Sequence, residues 1–586
     1  MIQSLLRSME LLEVLKEKNR NFSIAELAEA MDLPPSTVHR ILQTFCEKKY
    51  VIRDDRSHTY RLGPALIPLG KAAARGIRLQ DAAHSILTQL AKQTKEDAYL
   101  VIPVGNKGLV IEKVDGPSHL KVVEEFGYEM YMHCGAIRKV LLAWQTPAFI
   151  DEYFKNIILH DQAFPYGKQV MNRGGMWYTP VSGIWQTVWL ESVPGTYIEN
   201  LNIENHGASV TISTVPPLEG TVSVEQLGQF PLEHGQVTIA PENPHFWCPD
   251  APYLYRFTVE TAQDKVESYF AIRSLEIKKV VGYPRLCLNG KPYFFHGLLD
   301  QGYWPEGLLT APAPESYADD ILAMKRLGFN TLRKHIKVEP EEFYYQCDRL
   351  GMIVWQDMVN NSSYSYFRDT VLPTIGIQKW NDRRLHLDER SRNTFRQGAA
   401  DAVNQLKNHP CICYWTIFNE GWGQFDSDRV CGWFRTLDAT RFIDTTSGWF
   451  RGKNTDVDSR HQYFGKLRLK GDGLRPLVLS EFGGKTWRVE GHIFNPDKTY
   501  GYGACPTREA LNEAVAALYR EFIVPAVEKG LCAAIYTQVS DVEDEVNGLI
   551  TYDRRVVKLD ADTMLPISRA LQDAMEKTVA SFEKMG

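Results

Sequence analysis

The chain shows two different patterns of hydrophobic and polar residues. Up to about residue 75, apolar residues recur mainly at three- and four-residue spacing, which is typical of helices. After about residue 165, short apolar runs are bounded by Gly and Pro, and from about residue 281 such runs alternate with helical patterns. A chain of 586 residues is too long for one ordinary core, so the pattern predicts a multidomain protein.

The first 75 residues predict three helices followed by a hairpin. Ser23 and Glu26 have the spacing of a capping box at the start of the second helix. A third helix, over residues 36–48, follows a Pro-containing turn and places its apolar residues on one face. Alternating apolar and polar residues over 50–62 are then typical of a small wing. This order predicts an α winged helix-turn-helix domain.

The third predicted helix has polar residues on its outward face, where a recognition helix contacts base edges and phosphates. The candidate DNA-binding residues are Ser36, Thr37, His39 and Arg40 on this helix and Arg56 on the wing. Residues 1–75 carry a charge of about +3, whereas the whole chain carries −6, and a local positive charge favours phosphate contacts. A helical bundle that contacts other proteins is the alternative that this spacing leaves open.

One stretch of this region resembles a known family. The sequence SIAELAEAMDLPPSTVHRILQTFCEKKYV, followed by RLGPALIPLG, resembles the IclR family of winged-helix transcription regulators. The resemblance continues through MHCGAIRKVLLAW, which is similar to the family's effector-domain signature, and it ends near Trp144. It implies a DNA-binding domain over residues 1–75 and a truncated effector domain, a partial α/β sensor, over residues 76–150.

The pattern then changes to short strands. The run GKQVMNRGGMWYTPVSGIWQTVWLESV alternates apolar and polar residues between Gly and Pro turns, which indicates sheet. Further apolar runs follow at short intervals: IENLNIEN, SVTISTV, GQVTIA, YLYRFTVE and ESYFAIRSLEI. Strands at this spacing predict a small antiparallel, immunoglobulin-like β-sandwich over residues 193–280.

From residue 281 to residue 586, predicted strands alternate with predicted helices. The candidate strands are YFFHGLLD, FNTLRKHI, MIVWQDM, CICYWTIFNE, DTTSG, SRHQYF, PLVLSEF and CAAIYTQV. Eight strands separated by helices, in a span of this length, predict a closed (β/α)8 TIM barrel.

Two glutamates end predicted barrel strands. Glu420 closes the fourth strand and Glu481 closes the seventh, and active sites of such barrels lie at the carboxyl ends of the strands. These two strands lie across the barrel mouth, so their carboxylates are predicted to flank one bond. Glycoside hydrolysis needs such a pair, with an acid on one side of the bond and a carboxylate on the other. A structural salt bridge is the alternative for each carboxylate taken alone.

Neighbouring residues suggest different roles for the two carboxylates. Glu420 precedes Gly421 and Trp422, and an aromatic surround favours the protonated form that a catalytic acid requires. Glu481 must stay ionised as a nucleophile, and Arg333 and Tyr463 at other strand ends are placed to stabilise its charge. Sugar sites combine aromatic rings with polar partners. The further candidates for sugar binding are Asn419, His335, His461, Asp357, Trp415, Trp422 and Tyr536.

Four motifs together resemble glycoside hydrolase family 2, the family of β-galactosidases, β-glucuronidases and β-mannosidases. They are SGIWQTVWLE, PHFWCPDAPYLY, WTIFNEGWG and LSEFGG, and the resemblance covers residues 165 to about 560. It implies a β-galactosidase-like enzyme in which Asn419 and Glu420 form the acid/base pair and Glu481 is the nucleophile of a retaining mechanism. It also implies that Arg333 lies beside the nucleophile. His335 or Tyr463 is implied near the sugar.

The chain also departs from this family. Well-known members have Arg-x-Ser-His-Tyr-Pro after the second barrel strand, whereas this chain has Arg333-Lys334-His335-Ile336-Lys337, which displaces His335 by one position. Strand eight ends at Tyr536-Thr537-Gln538, where many relatives have Trp. Family members begin with a sugar-binding jelly roll, of which this chain keeps a remnant over residues 165–192.

Composition adds limits on partners and location. The chain begins without the uninterrupted apolar stretch of a secretory signal, and it has no apolar run long enough to span a bilayer. Ten Cys residues spread over the chain are typical of reduced thiols. We therefore expect a cytoplasmic protein without membrane partners. We expect no cofactor or metal ion, a β-linked glycoside as substrate, DNA as a partner of residues 1–75, and a homo-oligomer.

Three functions remain open at this stage. The first is a retaining β-glycosidase that hydrolyses O-glycosidic bonds by double displacement. The second is an IclR-like DNA-binding transcription regulator in which the sugar-binding barrel replaces the sensor. The third is a non-functional fusion of the two parts.

Overall fold

The computed structural model describes two compact units, residues 1–159 and residues 160–586. The described residues are 3–17, 20–75, 78–117, 129–133, 135–156, 167–170, 173–181, 185–186, 188, 191–360, 364–372, 377, 381–386, 388–450, 452–463 and 469–583. Among the helices of these residues, none has both the length and the apolar character that are needed to cross a bilayer.

The first unit begins with a winged helix-turn-helix. Its elements are helices α1 (Gln3–Glu17), α2 (Ile24–Ala30) and α3 (Pro35–Glu47) and the antiparallel strands β1 (Val51–Asp54) and β2 (Thr59–Leu62). Ser23 and Glu26 form the capping box at the start of α2, as predicted. Leu11, Leu27, Val38 and Leu42 are fully buried between the helices, so one apolar face of each helix builds this core. The predicted helix order and wing are confirmed.

The rest of the first unit is a small α/β layer. Its elements are α4 (Leu66–Arg75), α5 (Arg78–Thr94), β3 (Ala98–Val104), β4 (Lys107–Val114), β5 (Glu129–Tyr131), α6 (Gly135–Ala143) and α7 (Pro147–Asn156). The three strands form an antiparallel sheet with β4 in the centre. Helix α5 packs against this sheet through Leu87 and Ala91, which contact Ala98 on β3. These helices and strands agree with the partial α/β fold that the sequence predicts for this region.

The second unit contains an antiparallel β-sandwich. Its strands are β6 (Asn200–Asn205), β7 (Val210–Val215), β8 (Gly220–Val224), β9 (Gly228–Leu232), β10 (Gln236–Ile239), β11 (Tyr255–Thr261) and β12 (Lys265–Phe270). They form two sheets, in the orders β10-β7-β6 and β12-β11-β8-β9. The sequence pattern missed the hairpin of β8 and β9. Pro231 lies in β9, which is an edge strand, and an edge position tolerates the missing backbone donor of Pro.

An eight-stranded parallel barrel follows the sandwich. A three-stranded antiparallel sheet leads into it: β13 (Leu275–Val280), β14 (Tyr283–Leu288) and β15 (Lys291–Pro292). The barrel strands are β16 (Phe295–Asp300), β17 (Thr331–Lys334), β18 (Ile353–Asp357), β19 (Ile412–Asn419), β20 (Phe442–Ser447), β21 (Asp458–Gln462), β22 (Leu477–Phe482) and β23 (Leu531–Thr537). Their order is β20-β19-β18-β17-β16-β23-β22-β21, so the barrel is nearly closed. All eight predicted strands are confirmed.

Helices cover the outside of the barrel. They are α8 (Glu315–Arg326), α9 (Glu341–Leu350), α10 (Glu389–Leu406), α11 (Ser427–Phe434), α12 (Arg508–Leu518), α13 (Val524–Val527) and α14 (Ala561–Glu583), with shorter helical turns at Phe367–Val371, Asp382–Arg384 and Tyr519–Ile523. Gly351 ends α9 in the left-handed region, at φ +72°. A Cβ atom there would lie 2.4 Å from the carbonyl oxygen of Pro249, so this helix end requires Gly.

The acidic run that follows β23 is buried. Asp541, Glu543, Asp544 and Glu545 are each at most 3% exposed. The carboxylate of Glu543 accepts a hydrogen bond from the backbone N–H of Thr179, and Asp541 pairs with Lys558 at 2.6 Å. Buried carboxylates require such partners because an unpaired buried charge is costly.

We predict that Lys558→Met lowers the free energy of unfolding by about 3–5 kcal/mol, because it leaves Asp541 buried without its cation. Chemical denaturation followed by tryptophan fluorescence measures the change. The double variant Lys558→Met/Asp541→Asn removes the unpaired charge and is expected to recover most of the loss. A loss below about 1 kcal/mol in the single variant would show that this pair does not stabilise the fold.

Candidate active site

Glu420 and Glu481 lie at the mouth of the barrel. Glu420 follows β19, and Glu481 is near the end of β22. One carboxylate oxygen of each residue lies within 4.8 Å of the other and of a ring nitrogen of His461. Glu420 has φ +51°, a left-handed conformation that is strained for a residue with a side chain, and its N–H donates to the carbonyl of Ser447 at 2.9 Å. The strained backbone places this carboxylate over the mouth.

Glu481 is held by two donors. Nη1 of Arg333 lies 3.0 Å from Oε1 of Glu481, and the hydroxyl of Tyr463 donates to Oε2. Burial raises the pKa of Glu481, but His461 and Arg333 outweigh this effect and lower the pKa to about 2. The carboxylate is therefore ionised over the physiological pH range.

Arg333 connects several groups of the site. This fully buried guanidinium donates to Asp357 at 3.0 Å and to the side-chain oxygen of Asn419 at 2.9 Å, in addition to Glu481. Asp357 also contacts Nδ1 of His335 at 2.7 Å. Burial raises the pKa of Asp357, and Arg333 and His335 more than offset this effect, so the pKa is lowered. These bonds fix the orientation of Arg333 beside Glu481.

His461 lies between the two glutamates. Its Nδ1 is 2.7 Å from Oε1 of Glu420, and its Nε2 is 3.0 Å from the hydroxyl of Ser447 and 3.6 Å from Oε1 of Glu481. Glu420, His461 and Glu481 also have the composition of a metal site. However, Arg333 and Tyr463 already bond to the two carboxylate oxygen atoms of Glu481, and His461 contacts Oε1 of Glu420, which favours proton transfer over metal binding.

Two predicted sugar contacts lie elsewhere and are corrected. The indole N–H of Trp415 donates to Asp438 at 2.9 Å, and its ring contacts Phe434 of α11, so Trp415 packs between the barrel and an outer helix. Tyr536 is fully buried, and its hydroxyl accepts a hydrogen bond from the N–H of Lys485 at 2.9 Å. Both rings belong to the barrel core.

Trp422 lies in an aromatic cluster that the sequence did not predict. Its ring stacks on Trp177 at 4.8 Å, and Tyr364 contacts both rings edge-on at 5.1 and 5.2 Å. Trp177 comes from the segment before the sandwich, so sequence spacing gives no signal for its contact with Trp422. Thr537 was also missed, although it directly follows Tyr536 at a strand end. Its hydroxyl lies 3.1 Å from that of Tyr463.

The first unit has its own candidate site on α3. Ser36, His39 and Arg40 are exposed and Thr37 is half-buried, while Val38 between them is fully buried. Arg56 is exposed in the turn between β1 and β2. The outward face of α3 therefore presents the predicted DNA-binding residues to solvent.

Comparison with known sequences separates the two units. Residues 4–55 match the IclR helix-turn-helix domain, and residues 71–163 match the bacterial transcriptional regulator IclR C-terminal domain. Residues 196–273 match glycosyl hydrolases family 2, and residues 280–468 match the TIM barrel domain of the same family. The chain thus contains segments that are similar to two protein families.

Individual relatives align with one segment or the other. The HTH-type transcriptional regulator XynR of Escherichia coli (strain K12) is 31% identical over 150 residues, which are 26% of this chain and 60% of that protein. A β-galactosidase of Pseudoalteromonas haloplanktis is 28% identical over an alignment that covers 42% of this chain and 24% of that protein. A β-galactosidase of Yersinia enterocolitica is 25% identical over an alignment that covers 57% of this chain and 32% of that protein. The chain thus spans less than two thirds of each of these relatives.

Two solved structures are similar to part of this chain. A β-D-glucuronidase of Dictyoglomus thermophilum has 16% identity and a TM-score of 0.48, and the alignment covers 66% of this chain and 69% of that protein. A β-glucuronidase of Faecalibacterium prausnitzii has 19% identity and a TM-score of 0.47, and the alignment covers 65% of this chain and 66% of that protein.

Proposed function

We propose that the second unit hydrolyses β-linked O-glycosides with retention of anomeric configuration. The observation that supports this most is the separation of at most 4.8 Å between carboxylate oxygens of Glu420 and Glu481. Retaining enzymes hold their two carboxyl groups about 5–5.5 Å apart, whereas inverting enzymes leave room for a water molecule between them. The family 2 matches of residues 196–273 and 280–468 agree with this class.

The proposed reaction has two steps. In the first, the carboxylate of Glu481 attacks the anomeric carbon, and Glu420 gives its proton to the departing glycosidic oxygen. In the second, Glu420 takes a proton from water, the water oxygen bonds to the anomeric carbon, and the bond to Glu481 breaks. The two inversions give net retention.

The surrounding residues have supporting roles in this proposal. Arg333 keeps Glu481 ionised and oriented. Burial and the neighbouring Glu481 raise the pKa of Tyr463, so its hydroxyl keeps its proton and remains a donor. His461 contacts Glu420 and lies near Glu481, so it interacts electrostatically with both carboxylates while a proton is transferred. Asn419, His335, Asp357 and Trp422 are proposed to line the sugar site.

Proton NMR of the first-formed product tests this function. We expect the wild-type protein to hydrolyse at least one nitrophenyl β-glycoside among galactoside, glucuronide, glucoside and mannoside, and the β-anomer of the free sugar to appear first. First appearance of the α-anomer would contradict the retaining mechanism. Absence of hydrolysis of every substrate by folded protein would contradict the glycosidase function itself.

We predict that Glu481 stays ionised as the pH falls to 4. Its pKa is lowered in the folded protein, so the carboxylate form persists until the pH approaches that lowered value. In Glu420→Ala, with a dinitrophenyl glycoside that needs no acid, kcat/KM is expected to fall by less than about 1.5-fold between pH 6 and pH 4. Circular dichroism checks folding at each pH. An apparent pKa above 4 for this loss would contradict the prediction.

The first unit supports a second candidate function, sequence-specific DNA binding. The observation that favours it is the row of exposed polar residues on α3, next to an exposed Arg56 on the wing. Base-edge recognition needs polar side chains that project from a helix whose opposite face is buried, as Val38 and Leu42 are here. The matches to two IclR domains agree with this function.

Selection from a random pool of DNA duplexes tests this second function. We expect the full chain to enrich one motif, and Arg40→Ala to weaken binding to it about 5- to 150-fold, because Arg contacts bases or phosphates. Glu47→Ala, an exposed change in the last turn of α3, is the control and should not weaken binding. Failure to enrich any motif would contradict DNA recognition.

A further inference from the structure

Lys168 is a buried cation next to the proposed sugar site. Its side chain is 7% exposed, and its ammonium group lies 5.5 Å from the ring centre of Tyr178 and 5.9 Å from that of Trp422. Among the residues that the structure describes, no carboxylate or other acceptor pairs with this ammonium. Lys is rarely buried without a partner, because removing an ammonium from water is costly. A buried ammonium without a described partner therefore favours an anion as the group that binds here.

The local chain shows why Lys168 is held there. Gly167 adopts φ +63°, and a Cβ atom on it would lie 2.6 Å from the carbonyl oxygen of Ile336, so only Gly lets this segment approach the loop after β17. The N–H of Gly167 donates to the carbonyl of Asn360 at 2.9 Å, and the N–H of Tyr178 donates to the carbonyl of Lys168 at 2.9 Å. These backbone bonds fix Lys168 against the loops at the carboxyl ends of β17 and β18.

Two neighbouring side chains also have polar atoms without partners. Both amide atoms of Asn360, which is 4% exposed, and the indole nitrogen of Trp422, which is 3% exposed, make no hydrogen bond within the described part of the chain. Buried polar atoms in a folded protein normally have partners, so unpaired ones at a barrel mouth indicate a ligand. The ammonium, the amide N–H and the indole N–H are all donors, which is the chemistry that an anionic oxygen accepts.

The two glutamates do not use this charge. Arg333, Tyr463 and His461 supply the hydrogen bonds of Glu481 and Glu420. Burial lowers the pKa of His335, and the positive charge of Lys168 lowers it further. Lys168 therefore lies near Trp422 and His335 of the proposed sugar site, and no described carboxylate pairs with its ammonium.

We propose that Lys168, with Asn360 and Trp422 beside it, binds an anionic group of the substrate sugar and makes the site selective for β-glycosides of acidic sugars. This inference rests on the proposed glycosidase function. A carboxylate on a sugar acid and a phosphate on a sugar phosphate share the required chemistry, which is a charged oxygen that accepts several hydrogen bonds. The substrates in the test distinguish these two sources.

Matched pairs of chromogenic substrates test the proposal. The pairs are nitrophenyl β-glucuronide with β-glucoside, β-galacturonide with β-galactoside, and β-galactoside 6-phosphate with β-galactoside. We expect wild-type kcat/KM to be at least about tenfold higher for one anionic member than for its neutral partner. Lys168→Met is expected to reduce that ratio about 30-fold, mainly through KM, because the contact is made in the bound substrate. Lys168→Arg keeps the charge and should retain most of the ratio.

A distant Lys residue provides the matched control. Lys529 is exposed and precedes the amino end of β23, so Lys529→Met should leave kcat/KM unchanged for every substrate. A wild-type protein that hydrolyses neutral glycosides as fast as anionic ones overturns the inference and leaves the glycosidase function intact. A Lys168→Met variant that loses activity equally on both members of a pair also overturns it.

Binding separates the inference from the proposed function. If no substrate is hydrolysed, the glycosidase function fails, and calorimetry with glucuronate, galacturonate, galactose 6-phosphate and glucose becomes the decisive readout. Binding of an anionic sugar that Lys168→Met weakens about 30-fold supports the role of Lys168. Equal binding by wild type and variant, or no binding, overturns it.

Discussion

Glu481→Ala is expected to lower kcat/KM about 10⁵-fold for every hydrolysed β-glycoside, because it removes the group that attacks the anomeric carbon. The neighbouring Arg333 and Tyr463 stay in place and cannot supply this bond. The variant also leaves space where the carboxylate was. Sodium azide in this space is expected to attack the anomeric carbon directly and to give the α-glycosyl azide, since only one inversion then takes place.

The configuration of this azide product is the sharper part of the prediction. Glu490→Ala, at an exposed carboxylate nine residues along the chain, is the matched control and should retain wild-type activity. Thermal unfolding of Glu481→Ala checks that the barrel is folded. Residual activity within about 100-fold of wild type, or a β-glycosyl azide, would show that Glu481 is not the nucleophile.

Glu420→Ala is expected to lower kcat/KM about 10³- to 10⁴-fold for glycosides with a poor leaving group, such as methyl or sugar aglycones, because the departing oxygen is no longer protonated. A dinitrophenol group leaves without a proton, so the first step with a dinitrophenyl glycoside should change far less. The second step still needs a base, so the glycosyl-enzyme should accumulate and give a burst of dinitrophenol. Azide should then give the β-glycosyl azide.

The opposite azide products of the two variants assign the two roles independently of the size of either effect. Glu389→Ala, at an exposed carboxylate in the first turn of α10, serves as the control. A uniform loss for good and poor leaving groups would contradict the acid/base role of Glu420. In that case the contact between Glu420 and His461 at 2.7 Å would be structural.

Much of the fold could be predicted from the sequence because its patterns are local. The barrel strands are short apolar runs between helical segments, and all eight occur where this alternation places them. The capping box of Ser23 and Glu26 is likewise a relation between neighbours in the sequence. The β8–β9 hairpin was missed because Gly and Pro weaken its strand pattern. These two strands are recognised only from their antiparallel pairing in the folded chain.

The candidate site was less predictable because it depends on side-chain direction and on contacts between distant segments. Glu420 and Glu481 could be found since they follow strand ends. Trp415 also lies in a barrel strand, but its ring points to α11, and spacing along a strand of fully buried residues does not reveal this direction. Lys168 and Trp177 belong to a segment far from the barrel strands in sequence. Their contacts with Trp422 arise only from the folded chain.

The central claim is that Glu481 forms the covalent intermediate of a retaining glycosidase, and trapping that intermediate tests it most directly. A 2-deoxy-2-fluoro β-glycoside of the best substrate, with dinitrophenolate as leaving group, slows the second step more than release of the leaving group. We predict that the protein gains the mass of one fluorosugar and that peptide mapping places it on Glu481. A label on another residue, or full hydrolytic activity without any label, would contradict the account.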